Sequence, residues 1–236
     1  VQTFWLACLE EMIEAGVDGV DFREENHSTH TDWPEDYGFN PAVLARCQGR
    51  PGTLLENVAE VRGEDLDRSN VKAILITGRS KTVGRDLDAQ FHPLIRSTKI
   101  PLFGFCGGMQ LIGQAYAAQV GPLRKLREGE KDPNPSYHPG QFKEWGFLPV
   151  QIVRRDPLFE GLPDEIVVRQ AHAFQVLQVP AEFELLASSP ECQVEAFKHR
   201  ERLVYGTQFH PEVNDDNHPH GRVILENFFR LAGLGP

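Results

Sequence analysis

A cysteine stands in a glycine-rich turn directly between an apolar run and a helix-like stretch. The run over residues 100–105 leads into Gly104-Phe105-Cys106-Gly107-Gly108, and apolar residues then recur at helical spacing as far as Gly121-Pro122, a typical helix stop. Glycines on both sides of a nucleophile let a strand and a helix approach closely, and the tight turn projects the side chain above the sheet edge. The sequence therefore predicts a strand, a sharp turn that presents a thiol, and a helix.

The surroundings of this cysteine favour reactivity. The N-terminal N–H groups and dipole of the following helix point toward the sulfur and favour the thiolate of Cys106 over the thiol. The alternative is a buried, inert thiol, because free cysteine is among the most buried residue types. A nucleophile and a buried structural cysteine both remain open on this motif alone.

The pattern around the turn indicates an α/β fold. Residues 73–76 predict a strand, residues 86–96 an amphipathic helix and residues 100–105 a second strand, and a crossover of this length suits a parallel pair. Several short β-rich segments follow between Trp145 and Phe209, and residues 222–232 predict a closing helix. We expect a three-layer sandwich with a mostly parallel central sheet.

Composition excludes several classes of protein. The chain has 236 residues, of which 40% are hydrophobic and 25% charged, as in ordinary globular proteins. Its formal net charge of -10 opposes binding to nucleic acid. It has no run of about 18 apolar residues and no signal-peptide pattern, so no membrane contact is predicted and the cytoplasm is the expected location.

The four cysteines are far apart in the sequence, with no CxxC pair and no short-range His/Cys cluster. Structural zinc sites usually show such spacing, and disulfides are rare in a reducing compartment. No disulfide and no metal site are therefore predicted. The chain also has no GxxxxGK[ST] phosphate loop, so it is not expected to bind ATP by that route.

A base for the cysteine is found about a hundred residues later, in Phe209-His210-Pro211-Glu212. Pro211 restricts His210 to extended backbone, and residues two apart in an extended segment face the same side, so Glu212 can hold the imidazole tautomer. By itself His-Pro-Glu is typical of a solvent-facing turn. A cysteine nucleophile needs a base that is oriented by a third group, so the order Cys106, His210, Glu212 predicts a catalytic triad.

Three motifs together resemble the class I (triad) glutamine amidotransferases. They are Ile76-Thr77-Gly78-Arg79-Ser80, Cys106-Gly107-Gly108-Met109-Gln110 and the run from Tyr205 to Glu212, in the order and spacing of the family. The resemblance covers about residues 70–234 and implies a flavodoxin-like fold. It implies that Cys106 attacks the side-chain amide of glutamine, that ammonia leaves and that water hydrolyses the glutamyl thioester. His210 would relay protons and Glu212 would orient it.

The resemblance also implies further site residues. Backbone N–H groups of Gly78 and Gly107 map to the oxyanion hole of the family, where such donors supply a few kcal/mol. Gln110 matches a glutamine that contacts the amino-acid end of the substrate, although a helix-surface amide is an equal alternative. His172 falls where relatives carry a histidine beside the substrate, but its neighbours are Gln170 and Ala171 rather than a serine. No cofactor is implied.

Two kinds of function follow from this resemblance. The protein is predicted to hydrolyse glutamine, or a gamma-glutamyl amide, either as the ammonia-supplying half of a separate synthase or as a free-standing hydrolase. Gly78-Arg79-Ser80 replaces the common Gly-Gly-Pro turn of the family and leaves the substrate open. The alternative from another class is a catalytically inactive, amidotransferase-like binding module.

Residues 1–68 differ in character from residues 69–236, which we predict to form the amidotransferase-like domain. The stretch 16–23 is similar to the start of one strand-loop-helix unit of a glycoside-hydrolase-like (β/α) barrel. One unit cannot close a barrel, so a barrel glycosidase is disfavoured. The segment is expected either to supply missing strands of the amidotransferase sheet or to pack outside it as a remnant.

Overall fold

The computed structural model describes residues 72–76 and 85–234, and the structural statements below concern these residues. A seven-stranded sheet forms the centre of the fold. Its strands, in spatial order, are β1 (Ile74–Ile76), β2 (Leu102–Phe105), β9 (Val204–Thr207), β8 (Ala196–His199), β7 (Phe183–Ser188), β4 (Glu144–Ile152) and β5 (Glu165–His172). A separate pair consists of β3 (Val120–Pro122) and β6 (Phe174–Val176).

Three α-helices accompany the sheet: α1 (Arg85–Ser97), α2 (Gly107–Ala115) and α3 (His220–Leu231), with one turn of 3₁₀-helix at Pro157–Phe159. The helices predicted over residues 86–96, after Cys106 and over residues 222–232 are thus confirmed to within two residues at their ends. Strand, helix, strand and helix follow one another from β1 to α2, as the sequence pattern indicated.

The sheet has a parallel part and an antiparallel part. β1 pairs with β2, and β2 with β9, both in parallel, so the pairing predicted for residues 73–76 and 100–105 is confirmed, with Ile74 opposite Leu102. The pairs from β9 through β8, β7 and β4 to β5 are antiparallel. The parallel strands end beside the cysteine turn and therefore carry the candidate site.

Side chains on the two faces of the parallel strands enter two different cores. Leu75 and Phe103 point to the face covered by α3, where the ring centroids of Phe103 and Phe228 are 4.9 Å apart. Ile74 belongs to the core on the other face, with Ile112 of α2. Alternation of side chains along a strand produces this division. Helices on both faces make the fold a three-layer sandwich.

The close approach of α2 to β1 depends on Gly108. A Cβ atom at this position would lie 1.9 Å from the carbonyl oxygen of Ile76, which is backbone and has little room to move. Sequence and packing agree here, since glycine is needed where a helix crosses a strand at such short range.

We expect Gly108→Ala to lower the free energy of unfolding by about 3 kcal/mol, because overpacking against backbone forces α2 away from the sheet. Gly113→Ala, in the same helix, is the matched control, since its Cβ would meet only a Val176 side chain at 3.2 Å. Urea unfolding of both variants measures the difference. Equal stability of Gly108→Ala and the wild type would contradict this account of the turn.

Some elements differ from the sequence expectations. β7 carried no predicted strand, and β4 begins at Glu144 rather than at Phe147. Antiparallel pairing decides both: β7 pairs with β8, and Glu144 lies opposite His172 in the ladder of β4 with β5. Such partners are distant in the sequence, so local pattern does not show them.

Several expectations fall outside the described residues. These are the role of residues 1–68, as missing strands or barrel remnant, and the position of Gly78. Among the helices that the structure does describe, none combines the length and the apolar character that crossing a membrane requires.

Candidate active site

Cys106 occupies the turn between β2 and α2 in a strained backbone conformation. Its φ of 48° and ψ of -105° are unusual for a residue with a side chain. The strain is supported by two backbone hydrogen bonds: the Cys106 N–H donates to Thr207 O at 2.7 Å, and its carbonyl accepts from the Gln110 N–H at 3.0 Å. The sharp strand-to-helix turn predicted from the sequence is confirmed.

The turn places Cys106 at the N-terminal end of α2, whose first residue is Gly107. The first N–H groups of a helix have no partner within the helix, and the positive end of the helix dipole favours negative charge nearby. The Cys106 side chain makes no capping bond to this helix. The arrangement suits a thiolate and, at Gly107, a donor for an oxyanion.

His210 and Glu212 form a buried pair. Nδ1 of His210 donates to Oε1 of Glu212 at 2.7 Å, and both side chains are less than 10% exposed. The His210 N–H also donates to the Arg169 carbonyl of β5 at 2.8 Å, so the backbone of the histidine is tied to the sheet. With Nδ1 held by the carboxylate, Nε2 is the nitrogen that remains for Cys106.

Charge around the imidazole favours its protonated form. Burial lowers the pKa of His210, but the Glu212 carboxylate and the Cys106 sulfur, through charge and hydrogen bonding, together raise it well above its usual value. The structure thus brings the three predicted triad members together, and it favours an imidazolium between a thiolate and a carboxylate.

We expect Glu212→Gln to move the alkaline limb of the pH profile to lower pH. The imidazolium of His210 persists to high pH only while the carboxylate beside it raises its pKa; without that charge, burial lowers the pKa and the proton is lost earlier. Turnover at pH 8 should fall by about 100-fold. Glutaminase kcat/KM across pH 5 to 10 measures the effect.

Glu226→Gln, an exposed change on α3, is the matched control and should leave the profile unchanged. An unaltered alkaline limb in Glu212→Gln would show that this carboxylate does not set the protonation of His210.

Gln208 also touches the candidate nucleophile, although the sequence motifs did not single it out. Its Nε2 donates to the Cys106 Sγ at 3.5 Å, and its Oε1 accepts from Gln110 Nε2 at 3.2 Å. Gln110 Nε2 lies equally close to the Phe174 carbonyl. The signal was the same two-residue spacing that joins His210 to Glu212, since Gln208 lies two residues earlier in the same extended stretch.

His172, the last residue of β5, lies in the interior and is 1% exposed. Its Nδ1 is 3.0 Å from the Phe174 carbonyl, and its Nε2 is 3.1 Å from Oε2 of Glu144. Both ring nitrogens therefore face protein groups. Contact of His172 with a substrate remains a prediction, as do the substrate role of Gln110 and the oxyanion role of Gly107.

Comparison with known families agrees with this geometry. The model of the family described as glutamine amidotransferase class-I matches residues 48–232, which is well over half of the chain. The chain belongs to the class-I glutamine amidotransferase family. It is therefore a glutamine-hydrolysing cysteine enzyme, and the α/β, flavodoxin-like fold class is confirmed. The match begins inside the segment 1–68 that composition set apart.

Relatives of this amidotransferase include components of one kind of synthase. It is 31% identical over 189 residues to a subunit of the glutamine-hydrolysing GMP synthase of Methanococcus vannielii, covering 79% of this chain and 86% of that one. It is 32% identical over 170 residues to the subunit of the same name from Pyrococcus abyssi, covering 72% of this chain and 80% of that one.

A solved structure shows the same fold. A Thermoplasma acidophilum protein, provisionally assigned as a GMP synthase subunit, has a TM-score of 0.64 and 26% identity to this amidotransferase. The similarity covers 91% of this chain and 93% of the other.

Proposed function

We propose that this amidotransferase is the glutamine-hydrolysing subunit of a GMP synthase and supplies ammonia to a separate synthase subunit. Support comes from the relatives in Methanococcus vannielii and Pyrococcus abyssi, which are named as subunits of that enzyme and match it over most of their length. The observation that carries the chemistry is the buried 2.7 Å pair of His210 and Glu212 beside Cys106.

The proposed reaction begins with attack of the Cys106 thiolate on the side-chain amide carbon of glutamine. The S–C bond forms, the Gly107 N–H and, by resemblance, the Gly78 N–H stabilise the oxyanion, and His210 gives its proton to the leaving nitrogen. The C–N bond breaks and ammonia leaves a glutamyl thioester. His210, now neutral, removes a proton from water, which cleaves the thioester to glutamate and restores the thiolate and imidazolium.

Glu212 and Gln208 have supporting roles in this proposal. Glu212 holds the His210 tautomer with its proton on Nδ1 and stabilises the imidazolium. Gln208 connects the Cys106 sulfur to Gln110, which places Gln110 at the entrance to the same site for contact with the amino-acid end of glutamine.

A free-standing gamma-glutamyl hydrolase is the second candidate. The turn Gly78-Arg79-Ser80 favours it, because the common Gly-Gly-Pro turn of the family is absent. The two candidates share the triad and differ in the substrate and in whether a partner protein is needed. Comparing kcat/KM for glutamine and for gamma-glutamyl peptides, in the absence of any partner, separates them.

The decisive experiment combines this protein with a GMP synthase subunit that lacks its own amidotransferase. We expect glutamine-dependent GMP formation with the wild type. With Cys106→Ala we expect formation only when ammonium replaces glutamine, since the synthase step does not need the thiol. Equal glutamine-dependent formation with both proteins would remove the proposal, and an absence of glutamine-dependent formation would favour the free-standing hydrolase or an inactive module.

A further inference from the structure

Four side chains that are able to bind a metal converge in the interior, outside the triad. Glu144 begins β4, His172 ends β5, and Cys192 and Glu195 lie in the connection from β7 to β8. All four are buried, and one ligand atom from each lies within 4.8 Å of the others. We call these four residues the buried cluster.

The histidine of the buried cluster presents a lone pair to it. Nδ1 of His172 is 3.0 Å from the Phe174 carbonyl, which only accepts hydrogen bonds, so the proton is on Nδ1. Nε2 then faces Oε2 of Glu144 at 3.1 Å and makes no hydrogen bond within the described residues. Two acceptors at this distance need a cation between or beside them.

The two carboxylates are each fixed through one oxygen only. Oε1 of Glu144 accepts from the Ser189 hydroxyl at 2.8 Å, and Oε1 of Glu195 accepts from Gln170 Nε2 at 2.9 Å. The second oxygen of each carboxylate is buried and has no hydrogen bond to any residue that the structure describes. Outer partners that hold one atom of a ligand while its other atom faces inward are typical of metal sites.

Negative charge in the buried cluster is not balanced by a basic side chain. Within residues 72–76 and 85–234, no lysine or arginine forms an ion pair or hydrogen bond with its four members. Burial, reinforced by the charge of Glu144, raises the pKa of Glu195. Burial also raises the pKa of Cys192, together with the charges of Glu195 and Glu144. Uptake of protons or of a metal cation would relieve this repulsion.

We propose that the buried cluster is a structural zinc site in which Glu144, His172, Cys192 and Glu195 supply one ligand each. Imidazole and thiolate ligands favour zinc over magnesium or calcium, and four protein ligands close a tetrahedral structural site. Zinc bonds of roughly 2.0–2.3 Å place ligand atoms about 3.3–3.8 Å apart, so the side chains need to close by about 1 Å.

The site would join segments that support the active centre. It connects β4, β5 and the connection from β7 to β8, and the Glu195 carbonyl accepts from the Gln208 N–H at 2.7 Å. Gln208 in turn donates to the Cys106 sulfur. The ligands are distant in the sequence, so no spacing motif announced them, and the expectation of no metal site rested on that spacing.

The test measures zinc directly in the full chain. Protein treated with a chelator is titrated with Zn²⁺ against a chromogenic competitor, and Co²⁺ is added in parallel, because a thiolate ligand gives Co²⁺ a charge-transfer band in the near ultraviolet. We expect one equivalent of either ion, the thiolate band with Co²⁺, and a higher unfolding temperature with Zn²⁺.

Variants assign the ligands. Glu195→Gln and Cys192→Ser should each weaken Zn²⁺ binding by more than the roughly 10–100-fold that loss of an outer partner costs. Cys106→Ser, the matched cysteine control, should keep one equivalent and the thiolate band. If the Cys192 and Glu195 variants do not fold, wild-type stoichiometry and the thiolate band, compared with Cys106→Ser, decide the matter.

Three results would overturn the proposal: no stoichiometric Zn²⁺ in the wild type, binding that is lost with Cys106→Ser but kept with Glu195→Gln, or Co²⁺ binding without a thiolate band. The first would show that protons alone balance the buried cluster, and the second would place the metal at the catalytic cysteine. Glutaminase activity is not needed for the outcome, so failure of the zinc site and failure of the proposed reaction are distinguishable.

Discussion

Cys106→Ala is expected to lower the kcat for glutamine hydrolysis by on the order of 10⁶, to the level of binding and oxyanion stabilisation alone. The side chain removed is the only sulfur that the structure places with His210, within the residues described. A neighbouring water would be a much poorer nucleophile than a thiolate held at this turn. Ammonia release from glutamine, measured with the purified protein, gives the rate.

The control for this change is chemical rather than structural. An electrophilic glutamine analogue such as a diazo-ketone should label the wild type at Cys106 and leave Cys192 unmodified, because Cys192 is fully buried. Circular dichroism and an unfolding curve establish that Cys106→Ala keeps the fold. Equal ammonia release by the variant and the wild type would remove the cysteine mechanism.

His210→Asn is expected to reduce kcat by on the order of 10⁴ to 10⁶, because the same imidazole protonates the leaving ammonia and activates the water. Asparagine keeps a hydrogen bond toward Glu212 but does not titrate. Loss should be larger in kcat than in KM, since the imidazole acts on the transition state rather than on bound glutamine. Steady-state kinetics with glutamine separates the two constants.

His218→Asn is the matched control for His210→Asn. His218 also pairs with a carboxylate, Asp215, but the pair is at the surface and its ring stacks on Phe147 at 3.9 Å. We expect near wild-type turnover from this variant. A near wild-type rate in His210→Asn would instead show that another group serves as the base.

The turn that presents the nucleophile could be predicted from a short stretch of sequence. An apolar run, glycines on both sides of Cys106 and helical spacing afterwards act over neighbouring residues, and the structure shows the reason for Gly108 in its contact with the Ile76 carbonyl. The relation of His210 to Glu212 was equally local, because Pro211 keeps the backbone extended and the two side chains on one side.

Other features depended on contacts that local pattern does not encode. β7 has little strand character and is held by pairing with β8, and the contact of Gln208 with the Cys106 sulfur depends on the parallel pairing of β2 with β9. His172 shows the same limit: its place in the sequence indicated a substrate contact, whereas its ring nitrogens face Glu144 and the Phe174 carbonyl.

Local sequence was enough to predict the α/β class, the cysteine turn and the identities of the proposed triad, because turn chemistry and side-chain periodicity act within a few residues. Which buried groups meet depended instead on long-range strand pairing. Glu144 reaches His172 and Glu195 because β4 pairs with both β5 and β7, and those pairings join segments tens of residues apart. Burial then removes water from the carboxylates, and that loss of solvation, invisible in the sequence, creates the demand for a cation.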